Sequence, residues 1–65
     1  MFKEGDYVTF VKDEDIYEDI YCMGYILLVE KNGTLLVKIT QADKPKYVGQ
    51  TVIVNQAEAK KTRRL

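Results

Sequence analysis

Two apolar, β-branched-rich runs dominate the middle of the chain, Tyr25–Val29 and Leu35–Ile39, and Asn32-Gly33 stands between them. Asn and Gly accept the positive φ that a two-residue type I′ turn requires, and that turn matches the twist of the flanking strands. The pattern therefore predicts a β-hairpin over Gly24–Thr40. With a two-residue turn, Leu28 sits opposite Val37 and Ile26 opposite Ile39, with Leu35 on the same face. The other face then carries Tyr25, Leu27, Val29 and Leu36, diluted by Lys31, Lys38 and Thr40. A three-residue loop, Lys31-Asn32-Gly33 with a glycine bulge, would slip the pairing by one residue. Leu27 and Val29 would then join Leu35, Val37 and Ile39 inside. The shorter turn is the favoured reading. Both faces are apolar in either case, so neither is expected to lie bare in water.

Upstream, Gly5-Asp6 signals a turn, and Tyr7–Val11 alternates as a strand with Val8 and Phe10 on one face and Phe2 closing over it. Residues 12–23 form an acidic segment in which Asp13, Glu14, Asp15, Glu18 and Asp19 surround Ile16, Tyr17, Ile20 and Tyr21. The four-residue spacings Ile16/Ile20 and Tyr17/Tyr21 fit a short helix capped by Asp13 and ended by Gly24. Three Asp and two β-branched residues oppose it. The segment is read as a long loop folded back on the rest, with at most one helical turn. Downstream, Asp43-Lys44-Pro45-Lys46-Tyr47 and Gly49 carry turn chemistry. Thr51–Val54 reads as a short strand with Val52 and Val54 facing in. Asn55-x-x-Glu58 then resembles a capping box opening a turn or two of helix. A short fifth strand or a frayed tail follows.

Sixty-five residues make one domain, 1–65, whose apolar fraction of 46% is that of a folded chain. At this length only about 60% of the unfolded surface is buried, so the core is small. The lone Cys22 excludes an internal disulfide and fits a reducing compartment. No signal-peptide pattern or membrane-length apolar run is present, and a soluble cytoplasmic protein is expected. The formal net charge is zero, yet residues 1–30 hold eight acids and two bases, whereas residues 31–65 hold two acids and eight bases. Those halves either complement one another through weak surface pairs or form two patches that face different partners.

The order of strand, long loop, tight hairpin, turn loop, short strand, helical turn and short terminal segment resembles the SH3-like small barrel. Gly5-Asp6-Tyr7-Val8 resembles the Gly-Asp-x-Val first strand of KOW-type and phage or bacterial members, and Gly24-x-Ile26 resembles the glycine that starts their second strand. The resemblance implies an all-β fold, an SH3-like small barrel of about five strands with a long acidic loop after strand 1 and a short C-terminal helical turn. The chain has no tryptophan, which argues against the proline-rich ligands of the peptide-binding subclass. The KOW-type resemblance implies contact with RNA, ribosome or RNA polymerase, although the matching loop here is acidic rather than basic.

The chain contains neither His nor Ser, so serine nucleophiles and histidine-based acid, base or metal sites are excluded. Cys22, in an apolar setting, reads as a buried inert thiol. Asp13, Asp15 and Asp19 lack the glycine and terminal bidentate Glu of a calcium loop. No enzyme activity, cofactor or metal is expected. Three binding modes remain. The favoured one is an adaptor or inhibitor that meets a basic protein surface through Asp13, Glu14, Asp15, Tyr17, Glu18, Asp19 and Tyr21. Tyrosines supply contact area there, and carboxylates steer the encounter. The second is nucleic-acid binding by Lys44, Lys46, Lys60, Lys61, Arg63 and Arg64, with Tyr47 as a stacking surface. It is weakened by the zero net charge. The third, compatible with the first, is homodimerisation through Tyr25, Leu27, Val29 and Leu36.

Overall fold

The computed structural model describes residues 1–15 and 18–63, except for the side chains of 13–15 and 18. Five strands, β1 (Tyr7–Asp15), β2 (Glu18–Val29), β3 (Thr34–Ala42), β4 (Thr51–Asn55) and β5 (Lys60–Thr62), form one antiparallel sheet. Its order is β4-β3-β2-β1-β5. One 3-10 turn, Pro45–Tyr47, joins β3 to β4, and another, Gln56–Glu58, joins β4 to β5. The protein is all-β, with a barrel-like sheet that does not close. Among the described residues, no helix is long and apolar enough to cross a membrane.

The core follows the period of two. Val8 and Phe10 of β1, Ile20, Cys22 and Ile26 of β2, Leu35, Val37 and Ile39 of β3, and Val54 of β4 are buried together with Tyr47 and Ala59. Phe2 and Val52 pack against this cluster from its margin, as the alternation predicted. Burying an aliphatic side chain of this kind is worth roughly 1.5–3 kcal/mol, so these few residues carry the domain.

The central hairpin exists, but its turn is the longer of the two forms. Gly33 N donates to Glu30 O (3.2 Å) and Glu30 N to Thr34 O (2.9 Å), closing a three-residue loop of Lys31, Asn32 and Gly33. Only Gly33 of these has positive φ (+88°), whereas a type I′ turn needs it at Asn32 as well. The Asn32 side chain supplies the reason: its Oδ1 accepts from Thr34 N (3.2 Å) and Thr34 Oγ1 (2.7 Å). The expected pairs Leu28–Val37 and Ile26–Ile39 are therefore replaced by Val29–Leu35, Leu28–Leu36 and Ile26–Val37. Leu27 does not move inside as a uniform slip would require. It is the extra residue of a β-bulge between Ile26 and Leu28, which restores Ile26 to the core and leaves Leu27 38% exposed.

A second irregularity between Met23 and Gly24 bends the sheet again. Gly24, expected to open a strand, lies in the interior of β2 where the β3 backbone comes closest. A Cβ there would collide with the Lys38 carbonyl and the Val37 side chain. Glycine in a strand commonly marks such an approach.

The acidic segment also departs from expectation. Residues 7–15 and 18–29 are strands, paired from Tyr7–Tyr25 out to Asp13–Asp19 and Asp15–Glu18. The long loop is thus the far end of a β1–β2 hairpin. Its four-residue spacings are also multiples of two, so they suit a strand as well as a helix. After β4, Asn55 Oδ1 accepts from Ala57 N (2.9 Å) as the cap predicted, but the turn ends at Glu58. Lys60 and Lys61 lie beyond it and belong to β5.

Candidate functional site

The register of β5, β1, β2 and β3 assembles one face opposite the core. Lys60 lies beside Thr9, Thr9 beside Met23 and Met23 beside Gln41, making one row across four strands. The next row holds Val11 beside Tyr21, and Asp43 closes on it. Asp43 N donates to Tyr21 O (3.0 Å), and Tyr21 N donates to Asp43 Oδ2 (3.2 Å). These residues line a groove of about 530 Å³ whose lining is completed by Phe10, Cys22, Ala42 and Glu58. Tyr21 is 61% exposed and Val11 39%. A tyrosine held by its backbone but left in water offers apolar area and a hydroxyl at little entropy cost.

In the row beyond Val11–Tyr21, Asp13 pairs with Asp19; past it the register shifts, and Asp15 pairs with Glu18. Like charges directly opposite on antiparallel strands destabilise the pairing. The backbone register sets one acidic residue, Asp13, opposite another, Asp19. Of the residues expected to bind a partner, Asp19 is exposed and Tyr21 lies in the groove wall. Tyr17 and the side chains of Asp13, Glu14, Asp15 and Glu18 lie outside the described residues.

The basic residues are arranged differently. Tyr47 is only 5% exposed, so it presents no stacking face and that expectation is corrected. It plugs the core beneath Lys12 and Lys46, whose ammonium groups sit 5.5 and 5.2 Å from its ring centroid. Lys44 is half-buried, and Lys60, Lys61 and Arg63 are exposed on or beside β5. Arg64 lies outside the described residues. Lys61 Nζ pairs with Asp6 at 3.3 Å. Partial desolvation alone would raise the Asp6 carboxyl. The Lys3 backbone N–H at 3.0 Å and the Lys61 ammonium outweigh it and hold that carboxyl below its usual value.

Cys22 is free and 4% exposed. Burial pushes its thiol up, opposed by Lys12 and reinforced by Asp43, so it is a core residue on the groove floor with little thiolate character. Of the expected self-association residues, Leu27 is exposed, while Tyr25 and Leu36 are half-buried. Tyr25 rests on Tyr7 with ring centroids 5.9 Å apart. Val29 packs against the core instead. Leu28 (46% exposed), expected inside, is turned outward by the turn length and the bulge, whereas Ile53 (68%) lies outward because Val52 and Val54 face in.

No family model matches the chain, and neither a curated protein nor a solved structure matches it significantly.

Proposed function

We propose that this chain is a non-enzymatic interaction module, an adaptor or inhibitor, that binds a protein with a basic surface through the β1–β2 hairpin. The element order fits the SH3-like layout, and on that ground we also propose an SH3-like assignment. One observation carries the functional reading. The register sets Asp13 opposite Asp19 in the row next to an exposed Tyr21 on a groove, toward the end of the β1–β2 hairpin. A basic partner would relieve that repulsion on binding, while Tyr21, Val11 and Met23 would supply apolar contact. The carboxylates then govern the association rate, and Tyr21 governs the lifetime of the complex.

The test compares wild type with Tyr21→Ala and with a charge-reversed Asp13→Lys/Asp15→Lys/Asp19→Lys variant as baits in a lysate of the source organism. A captured protein is then measured by surface binding kinetics at low and high salt. The expected result is faster dissociation for Tyr21→Ala and an association rate at least tenfold slower at low salt for the charge-reversed chain. A captured protein that binds all three baits with the same kinetics would overturn the reading.

A further inference from the structure

The two edges of the sheet are guarded unequally. β5 carries exposed Lys60 and Lys61, and lysines on an edge oppose pairing with another strand. β4 reads Thr51-Val52-Ile53-Val54-Asn55, with no charge, no proline and an unbroken register against β3. Its central Ile53 is 68% exposed.

Hydrogen bonds fix which backbone groups of β4 face outward. Ile39 N donates to Gln50 O and Gln56 N to Gly33 O, so these are hydrogen-bonded rungs of the β3–β4 ladder. Alternation then turns the N–H and C=O of Val52 and Val54 toward β3, and those of Thr51, Ile53 and Asn55 away from it. Among the described residues no other strand pairs with this edge.

We propose that β4 pairs antiparallel with β4 of a second copy of the chain, on a two-fold axis through Ile53. The strand is nearly self-complementary about that residue. The axis sets Ile53 against Ile53, Val52 against Val54 and Thr51 against Asn55, whose side chains are both polar. The same register satisfies the outward backbone groups, because Ile53 bonds reciprocally with its copy and each Thr51 with an Asn55. Half-buried Val52 meets Val54 of the second copy and extends the core across the axis. On the other face, Leu28 lies beside Leu36 and Leu36 beside Ile53, an apolar row that ends at the bare edge. The axis joins that row to its copy as one stripe. A foreign strand would satisfy the same backbone groups, but the symmetry of the sequence matches a copy. Five residues a side fall short of the ~800 Å² per partner of a standard interface, so the dimer forms in a concentration-dependent equilibrium.

Sedimentation velocity and amide hydrogen exchange on the full chain, from about 10 μM to about 1 mM, test this. The dimer fraction is expected to rise across that range. The amides of Thr51, Ile53 and Asn55 should gain protection with it, while those of Val52 and Val54, already bonded to β3, should not. Ile53→Lys sets two ammonium groups face to face and should leave only monomer at the highest concentration, with the thermal midpoint retained. Under oxidised glutathione, Ile53→Cys should give a disulfide-linked dimer, because hydrogen-bonded partners stand about 5.5 Å apart at Cα. Thr51→Cys, out of register with its own copy, should not. Three results would overturn the proposal: monomer alone at the top of the range, a dimer indifferent to Ile53→Lys, or equal cross-linking of the two cysteine variants. Should Ile53→Lys fail to fold, the cysteine pair decides.

Discussion

Of the four glycines, Gly24 is the one where an added methyl meets the rest of the fold. The added Cβ would lie 2.8 Å from the Lys38 carbonyl carbon and 2.9 Å from Val37 Cγ1, and closer still to the Lys38 oxygen. Two of these three atoms are backbone, so no rotamer change makes room. The β2–β3 pairing must open beside a bulge, in the strand pair that holds Ile26, Val37 and Ile39. Overpacking of this kind costs about 3 kcal/mol at the upper end of its usual range. A chain of this length has roughly 3–10 kcal/mol of stability in all. The expected fall in melting temperature is roughly 12–24 °C, read by circular dichroism at 218 nm or so. Gly33→Ala is the control: its Cβ would meet open space, and only the positive φ opposes it, at about 1 kcal/mol. Should Gly24→Ala melt within 3 °C or so of wild type, or above Gly33→Ala, the close approach of β3 to Gly24 is refuted.

Asp19→Asn removes one charge from the Asp13–Asp19 row and should stabilise the domain by about 0.5 kcal/mol at low salt, an effect fading at about 1 M salt while partner binding weakens. A loss of stability on this change would contradict the repulsion. Asn32→Ala deletes the acceptor for Thr34 N and Oγ1 and should cost about 1 kcal/mol in urea unfolding, with the m-value unchanged. The Asp6 carboxyl is lowered in the folded state, so its contribution is present above its unfolded value of 3.8 and is lost as pH falls through the folded value. The stability difference between wild type and Asp6→Asn should thus be full at neutral pH and shrink below about pH 4; a difference that grows on acidification would contradict the sign. Buried Cys22 should react with iodoacetamide only at the rate of domain opening, so its alkylation should accelerate in step with destabilising variants such as Gly24→Ala.

Much of this fold was legible where a residue type has one physical use. Val8 and Phe10, and Val52 and Val54, recur at the strand period of two, and Asn55 has an oxygen placed for the next turn's N–H. The place of the central turn was legible too, because Gly33 supplies the positive φ that any of the short turns needs. Its length was not, since the competition between Asn32 entering the left-handed region and its side chain bonding Thr34 is settled by tertiary context. Gln56, donating to the Gly33 carbonyl from beyond β4, belongs to that context. The bulge at Leu27 carries no marker in an all-apolar run, so the exposure of Leu28 could not be read. Tyr47, among Pro45 and Lys46, looked like a surface aromatic, and only the packing of the turn over the open end of the core buries it. In the acidic segment the alternation of Ile20 and Cys22 with Asp19 and Tyr21 was a strand signal, masked by the weight of its carboxylates.

On the function proposed above, Tyr21 and the hairpin end beside it meet another protein. The most direct measurement places a photo-reactive benzoylphenylalanine at position 21 and, in a separate chain, at Lys38, an exposed position on β3 outside the groove lining. Each is irradiated in lysate of the source organism. A discrete adduct is expected from position 21, suppressed by Asp19→Lys and absent from position 38. Adducts of equal yield from both positions, or from position 38 alone, would contradict that function.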